Sequence, residues 1–561
     1  MEFLIMRDKR GIRFHNGWSA FQLNSVLAGL VLLTVYPLGC LVLNSLGITS
    51  LQQRLSFQGY WEVLTEPQFA TAFYNTFGMA LAITLFSLAL GLALAWTLIK
   101  TDLQNKRIWD FLIMLTYMVP SYIMAIALIE ILGPVGILGK LFQNGEIPFK
   151  IYSLSGVILV MTIHLYPIAY LTVANALHGC ERSLEEAALL DGAGQVAAFF
   201  KIILPAILPS VFSAGLFIFT HSVACFGVAA LLALPARQYI LPTYIYIALS
   251  SLKFEKATAM AVLLAFLAGL LFAVQRWLGK AELKMVPSAN YGDRKLKLGD
   301  LALWVKLGIS LFFGVTVIAP LGVMVIVSLL KVWGLTWEPS NFTWDNYRQI
   351  FFGGSRIFKA IRNSMLFGAV AATAATFIGS IAIYLGVRFG GWRGKVADFL
   401  LSWPMALPEV VLAVAAILAW IRPPLKLYGT PGIIIVTYTA AGLPFVVRSI
   451  RGLLDSLEPE LEEVAWTYGA SVLTGFRRVV LPLIATGLKA GWLFTFLFAL
   501  HEIPVSTLLC APGTETVGAI LFGLRNDSGG LELISALAVV ILGLVIGGRL
   551  AIQKTAAGWK D

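Results

Sequence analysis

The sequence predicts an all-α polytopic membrane protein, with about twelve spanning helices arranged as two parallel six-helix repeats. Three observations predict it. Of the 561 residues, 58% are hydrophobic and only 13% are charged, whereas a soluble domain carries roughly 25% charged residues. Apolar runs of about 20 residues, the length a helix needs to cross a bilayer, recur along the whole chain. Lastly, an amphipathic connector between two such runs, EEAALLDGAGQVAAFFKIILP at 185–205, returns as LEEVAWTYGASVLTGFRRVVLP at 461–482 in the same register.

In order, the runs lie near 25–47, 70–98, 109–132, 152–177, 207–233 and 257–278, then 303–330, 362–387, 397–420, 433–453, 483–509 and 532–552. The first follows the basic stretch RDKRGIR. It continues apolar past Cys40, and Pro37 stands where a lipoprotein cleavage box needs an aliphatic residue, so it reads as an uncleaved anchor. Prolines interrupt or flank the runs at 207–233 and 397–420. The Tyr-rich, amphipathic stretch 234–256 reads as a helix on the outer side. The stretch 279–302, GKAELKMVPSANYGDRKLKLGD, is polar, basic and broken by Pro287 and Gly292. It reads as a cytoplasmic linker between a first half, 1–278, and a second, 303–561. The pattern GLVIG at 543–547 predicts close helix packing through small residues.

The chain is basic, with 41 Lys plus Arg against 30 Asp plus Glu. With the N-terminus inside, the inner segments hold about twice as many Lys and Arg as the outer ones, as the positive-inside rule requires. The charge therefore orients the chain in a bilayer, with both termini cytoplasmic, and does not mark a nucleic-acid partner. Four cysteines lie far apart with no metal-binding spacing. The nearest approach to a phosphate loop, GPVGILGKL at 133–141, has the wrong glycine spacing and places Leu141 where Ser or Thr must reach magnesium. No hydrolase motif or paired catalytic carboxylates are recognisable. The chain reads as a conduit, with no catalytic residue, metal site or cofactor of its own.

The repeat is ungapped across the connectors. Placing Glu186 on Glu463 puts Gly192 on Gly469, Leu204 on Leu481 and Pro205 on Pro482, and upstream Pro167 falls on Pro444. An even number of spans per half makes both halves enter the membrane the same way, so the two connectors face one compartment. Glu185 to Leu190 are strong helix formers, and Ser183 with Glu186 three residues later has capping-box spacing. Gly192 allows a sharp bend, and Pro205 suits the first turn of a following helix. Small residues, Ala187, Ala188 and Gly192, keep one surface shallow enough for another protein to approach.

Glu186-Ala187-Ala188, Gly192, Ile202 and Leu204-Pro205 resemble the EAA loop of ABC importer permeases. The second copy, Glu463-Val464-Ala465, Gly469, Val479 and Leu481-Pro482, departs only by Val for Ala and Val for Ile. The resemblance implies a type I importer fold in a bacterial inner (plasma) membrane. In it each loop is a coupling helix docked on one of two copies of a cytoplasmic ABC ATPase. Glu186 and Glu463 would be the acidic contacts, Glu185, Glu462, Val464 and Ala465 their neighbours in the coupling loops, Gly192 and Gly469 the turns, and Pro205 and Pro482 the ends of the motif. ATP and magnesium would belong to that partner. A periplasmic or lipid-anchored solute-binding protein would deliver the cargo. VPSYIMAIALIEILGPVGIL (119–138), FGVAALLALP (226–235), ALPEVVLAVA (406–415) and HEIPVSTLLCAPGTETVGAILF (501–522) are similar to fused ferric-iron permeases. Relatives of that group carry thiamine, aminoethylphosphonate, polyamines and other solutes.

Ionisable groups within spans cost roughly 2.5–3.5 kcal/mol to insert and so mark candidate pathway positions. These are Glu130, Glu409, His501 and Glu502, with His164 and His221 in the first half. Carboxylates suit a hard cation such as ferric ion, and Arg is absent from the span centres. A carrier driven by an ion gradient would use the same groups as proton or cation sites, but would have no use for a duplicated ATPase-docking loop.

Overall fold

The computed structural model describes residues 16–48, 55–141, 149–179, 194–282, 296–334, 338–352, 356–389, 391–423, 425–526 and 530–557. Among them, ten helices are long and apolar enough to cross a membrane, and two bent pairs bring the number to twelve. The first half holds α1 Leu23–Ser45, α2 Pro67–Lys100, α3 Ser121–Leu141, α4 Leu154–Gly179, α5 Phe199–Val223 and α6 Phe254–Trp277. The second holds α7 Leu301–Ser328, α8 Arg356–Arg388, α10 Pro431–Ser456 and α12 Leu531–Gly548. Between these lie the bent pairs α9, Gly391–Ala406 with Glu409–Trp420 at 112°, and α11, Val472–Leu483 with Ala485–His501 at 80°.

Prolines shape most departures from the expected spans. The run at 109–132 is two helices, Lys106–Met118 and Ser121–Leu132, parted at Val119, which Pro120 holds extended at ψ 121°. The run at 207–233 stops at Val223, and Gly227–Leu232 is a separate helix. Likewise 483–509 divides into Ala485–His501 and Pro504–Leu509. In four other places a proline is absorbed. Val31–Val35, Phe199–Ile203, Gly314–Ile318 and Phe476–Val480 are π-turns, and Pro37, Pro205, Pro320 and Pro482 follow each two residues later. A proline ring clashes with the carbonyl four residues back, and the wider i→i+5 turn relieves it; the helix runs on past Pro37, Pro205 and Pro320, but breaks at Ile484, two residues after Pro482. The fresh helix start expected at Pro205 is therefore a continuous helix through a widened turn.

The repeat is visible element by element. Leu154–Gly179 and Pro431–Ser456 are both 26 residues long, each with an internal proline, Pro167 and Pro444. Gln195–Ala198 matches Val472–Gly475, Phe199–Ile203 matches Phe476–Val480, and Gly227–Leu232 matches Pro504–Leu509, all at one offset. That offset holds only from Leu154 onward. Upstream it grows, because the connection from Leu132 to Leu154 is longer than that from Trp420 to Pro431.

The halves also exchange their first helices. Leu23 and Leu30 of the N-terminal helix sit in a core with Ala375, Tyr384 and Leu401 of the second half, and the Tyr36 ring lies 5.5 Å from that of Trp420. Reciprocally, Phe313 stacks on Trp109 at 5.9 Å, and Phe312 meets Tyr166 at 5.7 Å. Hydrocarbon gives helices no hydrophobic reason to associate, so close packing must hold them. Gly442 illustrates it: a Cβ there would lie 2.2 Å from Thr495 Cγ2. The GLVIG reading fails, since Gly543 and Gly547 have nothing within 4 Å of a Cβ position, while the neighbouring Gly548 meets Leu497. Helix Leu241–Ser250, in the Tyr-rich stretch, is largely buried. Of the linker, Leu296 is paired with Lys100 and Asp102 through backbone bonds of 2.8 and 3.1 Å.

Candidate functional site

The second connector shows the geometry read for the first. Glu460–Thr467 is a short helix with Glu460, Glu462 and Glu463 in its first turn, where carboxylates oppose the positive end of the helix dipole. It closes in a Schellman turn: Gly469 N–H donates to Trp466 O (2.9 Å), Ala470 N–H to Ala465 O (3.0 Å), and Gly469 takes φ +84°. Ser471 then caps the helix Val472–Gly475, its Oγ accepting from Thr474 N at 3.2 Å. The π-turn and Pro482 carry the chain into the second arm of α11. The first connector, with Glu185, Glu186, Ala187, Ala188 and Gly192, lies outside the described residues. Its continuation, from Gln195 through Pro205, repeats the second element for element.

The helix presents two different faces. Glu462 is 1% exposed. Its Oε1 accepts from Arg388 Nε at 2.7 Å and its Oε2 from Tyr384 OH at 2.7 Å. Arg388 Nη2 also donates to Leu457 O at 3.0 Å, just before the connector. Glu462 is therefore an internal clamp to α8 and not the outward-facing member of the coupling loop that the resemblance implies. Glu463 is exposed and Ala465 half-buried. Leu461, Val464 and Tyr468 recur at helical spacing on the open side, Val464 58% and Tyr468 89% exposed. Pro482 is exposed at the entrance to α11. The clamp was beyond sequence reading, because Arg388 near the inner end of a span already satisfies the positive-inside rule.

The candidate pathway residues occupy unlike environments. Glu130 on α3 is wholly buried; Ser535 on α12 donates to its Oε1, while its Oε2 has no partner. It joins the two halves within packed helices. Glu502 is 3% exposed and caps helix Pro504–Leu509. Its oxygens accept from Val505 N at 2.5 Å and Ser506 N at 2.9 Å, and Tyr438 OH donates at 3.4 Å. Glu409 opens the second arm of α9 directly after Pro408, half-buried. His501, also half-buried, ends α11 with Nδ1 2.5 Å from Leu497 O. Thus Glu409, His501 and Glu502 belong to the second half, and Glu130 reaches it from the first through Ser535. Among the described residues, no three His, Cys, Asp or Glu side chains are grouped closely enough to hold one metal ion.

A duplicated membrane bundle whose second connector is clamped onto its own long helix is the architecture of a two-lobed transport permease. The family model described as "Binding-protein-dependent transport system inner membrane component" matches residues 87–283 and 375–552. The chain belongs to this family, the membrane permeases of ABC importers. It is similar to the ferric transport system permease protein FbpB of Actinobacillus pleuropneumoniae, 24% identical over 494 residues, covering 85% of this chain and 71% of that one. The Fe(3+)-transport system permease protein FbpB 2 of Haemophilus influenzae is 24% identical over 480 residues, 83% of this chain and 86% of that one. The putrescine transport system permease protein PotI of Escherichia coli is 30% identical over 194 residues, 33% of this chain and 68% of that one.

Proposed function

We propose that the chain is the translocating subunit of a ferric-iron importer in a bacterial inner membrane, with both termini cytoplasmic. Two copies of a cytoplasmic ATPase drive it, and a periplasmic or lipid-anchored binding protein supplies the ion. ATP and magnesium stay with the ATPase. The observation that carries the coupling is the division of labour on the helix Glu460–Thr467. Leu461, Val464 and Tyr468 face outward as an apolar patch beside Glu463, while Glu462 is gripped by Arg388 and Tyr384. A push on the outer face is thereby passed to α8 through a buried charged contact, and to α11 through the widened turn. The iron assignment is supported by the ferric permeases, which resemble the chain over most of its length.

The test is uptake of radiolabelled ferric iron by cells carrying the whole system. Reversing both connector charges, Glu186→Arg with Glu463→Arg, is expected to abolish uptake and to lose the ATPase from the purified complex. Full-rate uptake by that variant would overturn the coupling reading and favour a carrier driven by an ion gradient. A partner binding protein that takes up thiamine, a phosphonate or a polyamine and ignores ferric ion would end the iron assignment.

A further inference from the structure

A groove of about 350 Å³ lies beside the clamp of the second connector. Its walls include Ser25 and Val26 of α1, Tyr384 and Leu385 of α8, and Leu473 and Phe476 of the connector, and the lining is almost wholly apolar. Tyr384 sets its ring 4.8 Å from that of Phe476 and donates its hydroxyl to Glu462. Ser25 and Leu473 are exposed, so the groove is open at its rim. Ser25 and Val26 stand in the first turn of α1, and Leu385 lies one turn before Arg388, the last residue of α8. The groove therefore sits at the inner end of both spans, where acyl chains give way to head groups. Arg477 follows Leu473 by four residues and so shares its helix face. Arg477 and its neighbour Arg478 are both exposed. Among the described residues neither has an ion-pair partner.

We propose that this groove holds an acyl chain of an anionic phospholipid of the inner leaflet, its phosphate head group meeting Arg477 and Arg478. The volume falls within the range of about 300–1,000 Å³ found for sites that take small ligands. An apolar lining rewards a hydrocarbon chain, and basic pockets between spanning helices on the cytoplasmic side recognise anionic head groups. Guanidinium groups match phosphate oxygens in a bidentate fork, which a zwitterionic lipid rewards less because it carries no net charge. At the common offset Arg477 falls on Phe200 and Arg478 on Lys201, so the arginine pair belongs to the second half. Tyr384 both walls the groove and holds Glu462 at 2.7 Å. An acyl chain in place therefore backs the clamp from the membrane side. This inference goes beyond the iron reading and rests on the proposed topology, with the connectors on the inner side.

The test releases the full chain from nanodiscs of mixed phosphatidylglycerol and phosphatidylcholine and weighs the lipid it retains by native mass spectrometry. The wild type should retain phosphatidylglycerol in preference. Arg477→Gln with Arg478→Gln should lower that preference by about tenfold. A phosphatidylglycerol with a photoreactive acyl chain should cross-link within 472–476 in the wild type and lose that product in Leu473→Trp, whose ring fills the groove. Equal retention of the two lipids by the wild type, or an unchanged preference in the double variant, overturns the site. So does phosphatidylglycerol that binds only after removal of residues 1–15, which would give the groove to the chain's own N-terminal segment. A double variant that keeps the lipid but loses the ATPase also overturns it and makes the arginines a protein contact. The two readings fail separately. Full-rate uptake by Glu186→Arg with Glu463→Arg ends the coupling reading and leaves lipid retention standing, whereas lost lipid selectivity leaves the coupling reading intact.

Discussion

The two halves repeat in backbone and differ in chemistry. At the common offset Glu502 falls on Cys225, His501 on Ala224, His164 on Ala441 and His221 on Phe498. Glu409, the first residue of its helix, corresponds to Ser121, the first of Ser121–Leu132. None of these ionisable groups has a like mate. The backbone is common to the two bundles, while the ionisable side chains they carry into the membrane are unlike.

The long helices that meet the connectors differ in part. Asn75 and Thr76 of Pro67–Lys100 do the work of Asn363 and Ser364 of Arg356–Phe389, and in that register Arg388 falls on Lys100 and Tyr384 on Trp96. The cation of the clamp has a counterpart in the first half, whereas the tyrosine hydroxyl has none. The largest effect should come from breaking the clamp. Arg388→Ala leaves the Glu462 carboxylate, 2% exposed, without its charge partner, which costs about 3–5 kcal/mol. Thermal unfolding in nanodiscs should show that loss, and ATP hydrolysis should persist while uptake falls. Lys100→Ala, the matching change in the first half, should lower uptake in the same direction; unchanged uptake would confine the clamp to the second half.

Next in size is the packing glycine of the second half. Gly442→Ala would drive a methyl into Thr495, 2.2 Å from its Cγ2, and overpacking costs about 1–3 kcal/mol. The partner change Thr495→Ser, which removes that methyl, should restore the melting temperature; no rescue would mean the contact is misassigned. Smaller again is Gly469→Ala, which forces a side chain into φ +84° at about 1–2 kcal/mol. Making Gly192→Ala alongside sharpens the comparison, since equal losses in protection from proteolysis are expected if both connectors share the turn.

The smallest effect is acid sensitivity confined to the second half. Partial burial raises the Glu515 carboxyl, but its own and the Gly513 N–H, with Arg356, outweigh this and hold it below the usual carboxylate range. A depressed folded value gives stability that is present above the unfolded value and lost as pH falls through the folded one. Arg356 is 70% exposed, so screening limits the pair to about 0–1 kcal/mol. Arg356→Ala should flatten the acid limb of a stability-versus-pH curve. The corresponding position in the first half, Gln238, accepts from Leu154 N at 2.7 Å, and Gln238→Ala should lower stability without altering pH dependence.

Spans, duplication and the place of the connectors were legible because each is written in local sequence: apolar length, a fixed offset, and small residues beside carboxylates. Breaks at Pro120 and Pro504 were present in the sequence as prolines, but so were the π-turns before Pro205 and Pro482. Whether a proline parts a helix or widens it depends on what packs beside it. The exchange of first helices and the burial of Glu462 depend on approach between distant segments. A single sequence carries no local trace of that approach. Glu130 and Glu502 read as costly charges in lipid and were placed on the pathway for that reason. Their partners, Ser535 on the last span and the backbone of 505–506, supply a structural explanation that polarity alone did not reveal.

The most direct test asks from which side the connector is reached. A single cysteine, Tyr468→Cys in a chain freed of its native cysteines, sits at the most open point of the helix. A membrane-impermeant maleimide should leave it unlabelled in intact cells and label it in inverted vesicles, with protection when the ATPase is bound. Labelling in intact cells would contradict the account outright.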